Sequence, residues 1–334
     1  KEWKWSYDTK QAETRAFTPK WKLILEKLVL QNAVTYIKTN AYLGHYFGDL
    51  VNSFVQKHQI FDQVDFISSH GQTIFHQPDN GFTSQIGDPS AIAAKTGLPV
   101  ISDFRHTDVA LGGQGTPIAP IADLLFFKDY RFLLNLGGIA NITLQDQGRS
   151  IAAFDITPIN LILNKLASKM HLDFDKDGDI ARSGTVIEDL YNDLNNSHYY
   201  AKDYPKSLSG GWVSKVMAPL VARYREAVPD KLRTICEHSS YQIARAIDQM
   251  CEKEDITLQE NEKMLVTGGG ALNKFLIEKI NEKSALEVIV PDENTVHFKE
   301  SILMALMGVL RYRNEENCLA SVTGSSQNTV GGAI

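Results

Sequence analysis

The sequence predicts an α/β protein of two domains, and three observations support this. The chain has 334 residues, which is too many for one simple hydrophobic core. Short β-branched stretches alternate with amphipathic helical stretches in both halves of the chain. Two of the predicted strands run directly into glycine pairs or triplets, as strands do at ligand-binding edges of α/β folds.

The elements of the first half follow from periodicity and from turn chemistry. In residues 20–57, apolar side chains recur at steps of three and four, which predicts a long helical stretch. The other predicted elements are a strand in the opening residues 1–17, short strands through Phe66–Ile67 and Phe75, and a helix capped by Asp88 or Ser90 and ended by Gly97.

The second half repeats the alternation of strands and helices. The stretch YRFLLNLGGIANITLQDQGRSIAAFDITP predicts three strands joined by turns at Gly137–Gly138 and at residues 146–148. A helix is expected after Pro158, and further amphipathic helices over residues 232–252 and 299–313. A strand before Gly268 completes the set.

Composition excludes several classes of function. The net charge is −6 and no stretch gathers Lys and Arg, which argues against a nucleic-acid partner. No apolar run approaches the roughly 18 residues that cross a bilayer, so no membrane partner is expected. Three cysteines without CxxC spacing suit a reducing compartment, and a cytosolic location is expected.

The stretch LVTGGGALN predicts a strand, a triple-glycine turn and a helix. Free backbone amides at such a turn favour a phosphate or another negative group. The plain alternative is a tight turn without a ligand. The stretch matches neither the Walker motif nor GxGxxG, because Asn273 stands where the last glycine would be.

A second glycine turn, in LLNLGGIAN, lies between two predicted strands. Asn135 and Asn141 flank it, and their amides could contact a ligand. Paired glycines between strands most often form only a hairpin. Two glycine-rich strand ends in one α/β chain favour a ligand site more than either does alone.

Acidic and histidine-rich stretches do not predict a metal site. DFDKDGDIARSG begins like a calcium loop, but Gly184 replaces the bidentate Glu of its twelfth position. A turn that caps the following helix explains the stretch better. In SSHGQTIFHQP, two histidines lie six residues apart without a third ligand, so the protein's metal-binding residues are left unassigned.

Two further side chains have open interpretations. Arg105, beside the loop GGQG, is either a clamp for a carboxylate or half of a surface Arg–Asp pair, and the sequence does not choose between them. Asp155, in FDITPINLILN, either holds a turn or takes a proton.

Several motifs in series are similar to one family. SSHGQTIFHQP, the stretch from QIGDPSAI to LGGQGTPIAP, LNLGGIAN, FDITPINLILN, DKDGDIARSG, PKSL, VTGGGALN and SVTGSSQNTVGGAI together resemble the anhydro-N-acetylmuramic acid kinase family, from about residue 40 onward. That family belongs to the sugar kinase, heat-shock protein 70 and actin superfamily. The resemblance implies two actin-like α/β domains with a nucleotide cleft: residues 1–127 with 305–334 on the sugar side, and residues 128–304 on the nucleotide side.

The resemblance also implies an activity. The family uses ATP and Mg²⁺ to open the 1,6-anhydro bond of anhydro-N-acetylmuramic acid and to phosphorylate O6, in peptidoglycan recycling. It implies a cytosolic homodimer. Asp155 matches the general base that activates water, and the other matched positions are of two kinds. The sugar-pocket positions are His70, Thr73, Arg105 and Glu300; the nucleotide-binding positions are Gly137, Gly138, Asn141, Gly268, Gly269, Gly270 and Asn273.

The sequence departs from the family pattern in two places. The N-terminal phosphate loop of the family is not among these residues, and we expect it to lie upstream of Lys1. The base motif contains bulky Ile156 and Ile159 where the family commonly has small residues, which restricts the local backbone.

Three alternatives remain open at this point. A non-catalytic sugar or nucleotide sensor would close on its ligand without forming product. A kinase of another hexose would form ADP but prefer an ordinary pyranose. An actin-like filament protein is the third alternative.

Overall fold

A computed structural model describes residues 5–146, 149–204 and 206–334. The strands are β1 Ile67–Ser68, β2 Gln72–Gln77, β3 Phe82–Ile86, β4 Val100–Ile101, β5 Phe132–Leu136, β6 Ile139–Asp146, β7 Arg149–Pro158, β8 Lys263–Thr267 and β9 Glu287–Ile289. The α-helices are α1 Pro19–Leu28, α2 Ala33–His58, α3 Pro89–Thr96, α4 His106–Ala110, α5 Pro120–Phe126, α6 Asn160–Ala167, α7 Asp179–Ser183, α8 Glu188–Asn195, α9 Gly210–Trp212, α10 Ala218–Arg223, α11 Val228–Lys253, α12 Lys274–Lys283, α13 Glu293–Tyr312 and α14 Ala320–Thr323. Short 3₁₀ turns cover Phe61–Gln63, Pro78–Asn80, Ser168–Met170, Lys176–Gly178 and Gly269–Leu272, and a π-helical turn covers Val213–Met217.

The chain forms two compact units. Unit 1 contains the described residues up to Phe126 together with Glu300–Ile334, and unit 2 contains Phe127–Lys299. The α/β fold predicted from the sequence is confirmed, because helices pack on strands in each unit. Among the described residues, no helix combines the length and the apolar character that a bilayer span requires.

Unit 1 is built on two small sheets and the long helix α2. Strands β1 and β4 pair in parallel, and β2 and β3 form an antiparallel hairpin. The stretch predicted as one helix over residues 20–57 is two helices, because the chain leaves the helix after Leu28 and Asn32 caps the start of α2. The Asn32 Oδ1 atom accepts from Thr35 N at 2.9 Å, which ends any continuous helix at that point.

The boundaries of α3 agree with the sequence prediction. Asp88 Oδ1 accepts a hydrogen bond from Ser90 N at 2.8 Å, and Gly97 ends the helix with φ 73°. The sequence Asp-Pro-Ser predicted the first of these caps and Thr-Gly predicted the second.

The predicted strand at the start of the chain is wrong over residues 5–17, which form no regular secondary structure; residues 1–4 lie outside the described residues. The aromatic alternation there has a different cause. Trp5 packs against the hydrophobic cluster around Phe104 and Met307, and the Tyr7 ring lies 4.9 Å from the Phe126 ring. These side chains bury apolar area as single anchors, without backbone pairing.

Unit 2 contains a five-stranded sheet with the order β7-β6-β5-β8-β9. Strand β6 is antiparallel to β5 and to β7, whereas β8 is parallel to β5 and to β9. The carboxyl ends of β5, β7 and β8 therefore share one edge of the sheet. The three predicted strands from β5 to β7 and the helix after Pro158 are confirmed, while residues 147–148 of the predicted turn lie outside the described residues.

The core of unit 2 fixes the position of that edge. Fully buried residues of β5 and β6, such as Leu134 and Ile142, share one hydrophobic cluster with Ile235 and Ile243 of α11. Because an α/β sheet binds ligands beyond the carboxyl ends of its strands, this edge is where a site is expected.

Candidate active site

A row of polar side chains crosses the sheet of unit 2 at this edge. Asp155 on β7 is in register with Asn141 on β6, Asn141 with Asn135 on β5, and Asn135 with Thr267 on β8. Residues in direct register point to the same face, with Cβ atoms about 5 Å apart across an antiparallel pair. The row spans roughly 14 Å over four strands, given the usual strand spacing. We call these four residues the polar row.

The centre of the polar row lies between the two glycine turns. The amide of Asn135 lies beside Gly137 on one side and Gly268 on the other: a Cβ on Gly137 would be 3.4 Å from Asn135 Nδ2, and a Cβ on Gly268 would be 2.6 Å from Asn135 Oδ1. A Cβ on Gly270 would be 2.8 Å from Leu136 Cβ. Gly268 and Gly270 are therefore required by the close approach of β5 and its side chains. This contact explains glycine at both positions even if no ligand binds there.

Gly269 differs from its two neighbours. It is exposed, and a Cβ there would meet only Asn160 Nδ2, at 3.9 Å. As the first residue of a 3₁₀ turn, Gly269 has an N–H group without a partner inside that turn. Gly269 is thus the member of the triplet whose backbone is open to a ligand.

The Gly137–Gly138 turn holds the start of α6. The Gly138 carbonyl accepts from Ile159 N at 2.9 Å and from Leu161 N at 3.2 Å, and Gly137 O accepts from Asn160 N at 3.3 Å. These amides are already bonded, so the start of α6 does not offer free donors to a phosphate.

Asn273 has a structural role that the sequence prediction did not assign. Its Oδ1 atom accepts from Leu276 N at 2.9 Å and so caps α12. A Cβ on Gly178 would be 2.2 Å from the same oxygen, so Asn273 packs tightly against the turn before α7. Contact with a nucleotide stays a prediction for this residue and for the other nucleotide-binding positions.

The acidic stretch around Asp175 caps a helix, as predicted. Asp175 is buried, and its two carboxylate oxygens accept from Ile180 N at 3.0 Å and Ala181 N at 2.9 Å. Nearby, Asp177 forms an ion pair with Lys274 at 3.2 Å. Both oxygens of Asp175 are therefore committed to the start of α7.

Asp155 is held differently. Its Oδ2 atom accepts from Leu208 N at 2.8 Å, and no described residue donates to Oδ1. The side chain is half-buried, and burial raises the pKa of Asp155 above its ordinary value while the Leu208 N–H opposes that shift. Since the carboxylate bonds a residue far along the chain and not the turn that follows it, the structure does not support the turn-holding interpretation.

The bulky residues of the base motif point away from the polar row. Ile156 is an extra residue in β7, because Ala140 pairs with Thr157 while Asn141 pairs with Asp155. Ile156 and Ile159 are 2% and 0% exposed and belong to the hydrophobic core. Their bulk fills the interior of unit 2.

In unit 1, the Arg–Asp surface pair considered for Arg105 is wrong. Asp103 instead lies 3.6 Å from His106, and buried Asp108 accepts from Gly115 N at 2.7 Å and from Thr323 Oγ1 at 2.6 Å. Arg105 forms no ion pair with any described residue, and its Nε atom is buried without a hydrogen-bond partner. A half-buried guanidinium in this state is suited to an anionic ligand.

Two other predicted sugar-pocket residues lie near Arg105. Burial lowers the pKa of His70; the hydrogen bond with the Gly71 carbonyl opposes that shift, Arg105 reinforces it, and the exposed carboxylate of Glu300 opposes it. Burial also lowers the pKa of Arg105, against the opposite influence of Glu300. The three charged or titratable groups are therefore close enough to interact.

Thr73 is connected to His76 through a series of hydrogen bonds that the sequence did not reveal. Gln85 Nε2 donates to Thr73 Oγ1 at 3.3 Å and to Thr83 Oγ1 at 2.8 Å, and Thr83 bonds His76 Nδ1 at 3.0 Å. Burial, followed by Arg105, lowers the pKa of His76. The alternation of side chains along β2 and β3 was the feature of the sequence from which these hydrogen bonds could have been predicted.

Other neighbours of the site also escaped the sequence analysis. Thr267 ends β8 next to the glycine triplet, and Lys299 Nζ donates to its hydroxyl at 3.3 Å. Leu208 contributes only a backbone N–H, for which no residue type is a signal. In residues 5–146, 149–204 and 206–334, no group of three or more His, Cys, Asp or Glu side chains is placed to hold a metal ion.

Comparison with known proteins agrees with the motif order. The family model described as anhydro-N-acetylmuramic acid kinase matches residues 24–334. The chain belongs to the anhydro-N-acetylmuramic acid kinase family. The predicted family is therefore confirmed.

Individual members of that family are similar over most of the chain. An anhydro-N-acetylmuramic acid kinase from Francisella tularensis subsp. novicida is 32% identical over 326 residues, which cover 92% of this chain and 84% of that protein. The enzyme of the same name from Vibrio parahaemolyticus is 36% identical over 253 residues, covering 72% and 65%. Among solved structures, a ROK family glucokinase from Streptomyces griseus in complex with glucose and AMPPNP aligns with 73% of this chain and 81% of its own, at 12% identity and a TM-score of 0.32.

Proposed function

We propose that this protein is an ATP-dependent kinase that opens the 1,6-anhydro ring of anhydro-N-acetylmuramic acid with water and phosphorylates O6. Membership of the family supports the substrate and the reaction. The observation that carries the proposal is Asp155: a half-buried carboxylate in the polar row with one oxygen fixed by Leu208 N–H and the other free of protein donors. Such a group is suited to general-base catalysis.

The proposed reaction is one coupled displacement at the anomeric carbon and at the γ-phosphorus. Water attacks the anomeric carbon and loses a proton to Asp155 while the bond from that carbon to O6 breaks. The released O6 forms a bond to the γ-phosphorus of ATP as the bond to the β–γ bridging oxygen breaks. The products are N-acetylmuramic acid 6-phosphate and ADP. Most of the rate enhancement in such a transfer comes from positioning and charge stabilisation.

The polar row and the open glycine supply the positioning groups of unit 2. We assign a nucleotide oxygen to Gly269 N–H, because the backbone there is exposed and unobstructed. The Asn141 side chain makes no hydrogen bond with a described residue, so its amide is available to a ligand. Bound Mg²⁺ would neutralise charge on the phosphates. The amide oxygen of Asn141 is of the kind that binds this ion, together with water and phosphate oxygens.

Unit 1 supplies the groups that we assign to the sugar. Arg105, free of an ion pair, is proposed to bind the carboxylate of the lactyl group, which ordinary hexoses lack. His70, Thr73 and Glu300 are proposed to contact the ring hydroxyls and the acetamido group. Burial keeps His70 in its neutral form, in which it both donates and accepts.

We also propose a cytosolic homodimer that acts in peptidoglycan recycling. The three cysteines are free thiols, and Cys236 and Cys318 are buried, which is compatible with a reducing compartment. The dimer rests on the family resemblance, and sedimentation velocity at micromolar concentration tests it.

A substrate panel tests the proposed reaction. The protein is incubated with ATP and Mg²⁺ and, in turn, with anhydro-N-acetylmuramic acid, N-acetylmuramic acid and glucose. We expect ADP and a 6-phosphorylated sugar only with the anhydro sugar. Preferential phosphorylation of an ordinary pyranose would identify a kinase of another hexose, and ligand binding without ADP would identify a sensor.

A further inference from the structure

Besides its pairing with Asn141 on β6, Asp155 is contacted by Tyr199, Lys206 and Leu208, which lie in one segment (residues 199–204 and 206–208). Leu208 N donates to the carboxylate at 2.8 Å, and Asp155 N donates to the Lys206 carbonyl at 3.3 Å. The Tyr199 hydroxyl donates to the main-chain carbonyl of Asp155. The segment therefore holds the residue at its N–H, its C=O and one carboxylate oxygen.

A buried hydrogen-bonded chain anchors this segment to β7 and α11. Tyr200 OH bonds Thr157 Oγ1 at 2.8 Å and His238 Nε2 at 3.0 Å, and His238 Nδ1 bonds Asn195 Oδ1 at 2.7 Å. Tyr200, Thr157 and His238 are 3%, 0% and 0% exposed. Buried polar groups of this kind are costly unless fully bonded, so the chain defines one arrangement.

The tautomer of His238 follows from Asn195. Its Oδ1 atom accepts from Gln242 Nε2 at 2.8 Å, so it also accepts from His238 Nδ1–H. Burial lowers the pKa of His238 to about 3, which makes the ring neutral. A neutral ring that donates at Nδ1 accepts at Nε2, where the Tyr200 hydroxyl lies at 3.0 Å and the Thr157 hydroxyl at 3.4 Å.

We propose that Leu208 N–H fixes Oδ2 of Asp155 so that Oδ1 is the oxygen that takes the proton, and that Tyr199 and Tyr200 are positioning residues that hold this donor in place. The inference rests on the proposed function of Asp155 as the base. A carboxylate clamped at one oxygen presents its free lone pairs in a defined direction. Loss of the clamp lets the group rotate and leaves its charge less stabilised.

The titratable groups next to Asp155 do not interfere with a measurement of its pKa. The Tyr199 hydroxyl binds the main chain, and burial raises the pKa of Tyr199 well above its ordinary value, with the Asp155 charge as the next cause. Lys206 Nζ donates to Lys202 O at 2.8 Å, and burial lowers the pKa of Lys206. Neither group titrates in the acid range, and the His70 and Glu300 side chains assigned to the sugar are unchanged in a Leu208 variant, so a shift of the acid limb between that variant and wild type reports Asp155.

The first test removes the donor and keeps the carboxylate. Leu208→Pro lacks the N–H, and Leu208→Ala keeps it as the matched control. We expect the acid limb of kcat/KM for Leu208→Pro to lie at higher pH than for wild type, because an N–H bond to the charged form lowers the pKa that it protects. The limb of Leu208→Ala should coincide with wild type. Coincident limbs in all three proteins would overturn the proposal.

A second readout separates this inference from the proposed function. The ¹³C carboxyl resonance of Asp155, assigned by its loss in Asp155→Asn, is titrated in wild type and in Leu208→Pro. A higher apparent pKa in the Pro variant supports the clamp even if the wild-type protein forms no product, in which case only the proposed function fails. An unchanged titration overturns the clamp whatever the activity.

The third test addresses the positioning residues and does not depend on a proline. We expect Tyr199→Phe and Tyr200→Phe to lower kcat by roughly 5- to 10-fold, as the loss of one or two hydrogen bonds allows, with KM for both substrates within about 2-fold. Their acid limbs should also move to higher pH. Tyr204→Phe loses one hydroxyl contact, with Glu254, and is the matched control with an unchanged profile. A lower Tm with unchanged kcat and limb would show a merely structural role and overturn the assignment.

Discussion

Asp155 and Asp175 look alike in the sequence, since each follows a phenylalanine, but the structure treats them differently. Asp175 gives both oxygens to N–H groups five and six residues ahead, at the start of α7. Asp155 gives one oxygen to an N–H group 53 residues ahead and keeps the other. A carboxylate whose oxygens are all bonded to its own chain stabilises the fold, whereas one with an uncommitted oxygen beside other polar groups can do chemistry.

The largest effect on kcat is expected from a substitution of Asp155. Asp155→Asn keeps the shape and the bond from Leu208 but loses the base, so we expect kcat to fall by about 10²- to 10⁴-fold with ligand binding retained. Steady-state rates and calorimetric binding of the sugar check it. A near-normal rate would contradict the assignment of Asp155 as the base.

Asp175→Asn is the control for that variant. Loss of one of its two backbone contacts should reduce the free energy of unfolding by about 1–2 kcal/mol, as for other helix caps. The rate per folded molecule should stay within about 2-fold of wild type. A large loss of kcat in a folded Asp175→Asn protein would erase the distinction between the two carboxylates.

The glycine triplet offers a second comparison, between a glycine that is packed against β5 and a glycine whose backbone is exposed. Gly270→Ala places a Cβ 2.8 Å from Leu136 Cβ and 2.9 Å from its carbonyl, so we expect a loss of about 1–3 kcal/mol in stability. Gly269→Ala meets nothing closer than 3.9 Å, so stability should be unchanged while KM for ATP rises several-fold. Denaturant unfolding and ATP titration of both variants decide the matter, and an unchanged KM in Gly269→Ala would remove this residue from the nucleotide site.

The smallest effect concerns the pH dependence of stability. Because burial raises the pKa of Asp155, the folded chain binds more protons than the unfolded chain between the unfolded and folded pKa values. The contribution of Asp155 to stability therefore falls as pH rises through that window, and ionised Asp155 is a cost above it. Asp155→Asn should have a Tm above wild type at pH 7, by no more than about 2–3 °C, and the difference should vanish toward acid pH. Calorimetry at both pH values checks this, and a Tm below wild type at pH 7 would contradict it.

Local chemistry explains what the sequence could predict. The cap at Asp88, the end of α3 at Gly97 and the Asp175 turn each involve bonds within a few residues, so residue type and spacing were sufficient. The strand predicted for the first residues failed because the alternation of Trp5 and Tyr7 reflects contacts with distant parts of unit 1.

The site was predictable only in part, for the same reason. Asp155 and the glycine turns have distinctive residue types, and their motif order resembles a family. The donor from Leu208 has no residue-type signal, because every residue except proline carries an N–H group. The tight approach of Leu136 to Gly268 and Gly270 depends on strand order, which the sequence did not fix.

The most direct measurement of the central claim follows an isotope through the reaction. The protein is incubated with anhydro-N-acetylmuramic acid, ATP and Mg²⁺ in ¹⁸O-labelled water, and the sugar phosphate is analysed by mass spectrometry. We predict one ¹⁸O atom at the anomeric carbon and none in the phosphate, since water attacks carbon and O6 takes the phosphoryl group. Label in the phosphoryl group, or a phosphorylated sugar without label at the anomeric carbon, would contradict a water-activating role for Asp155.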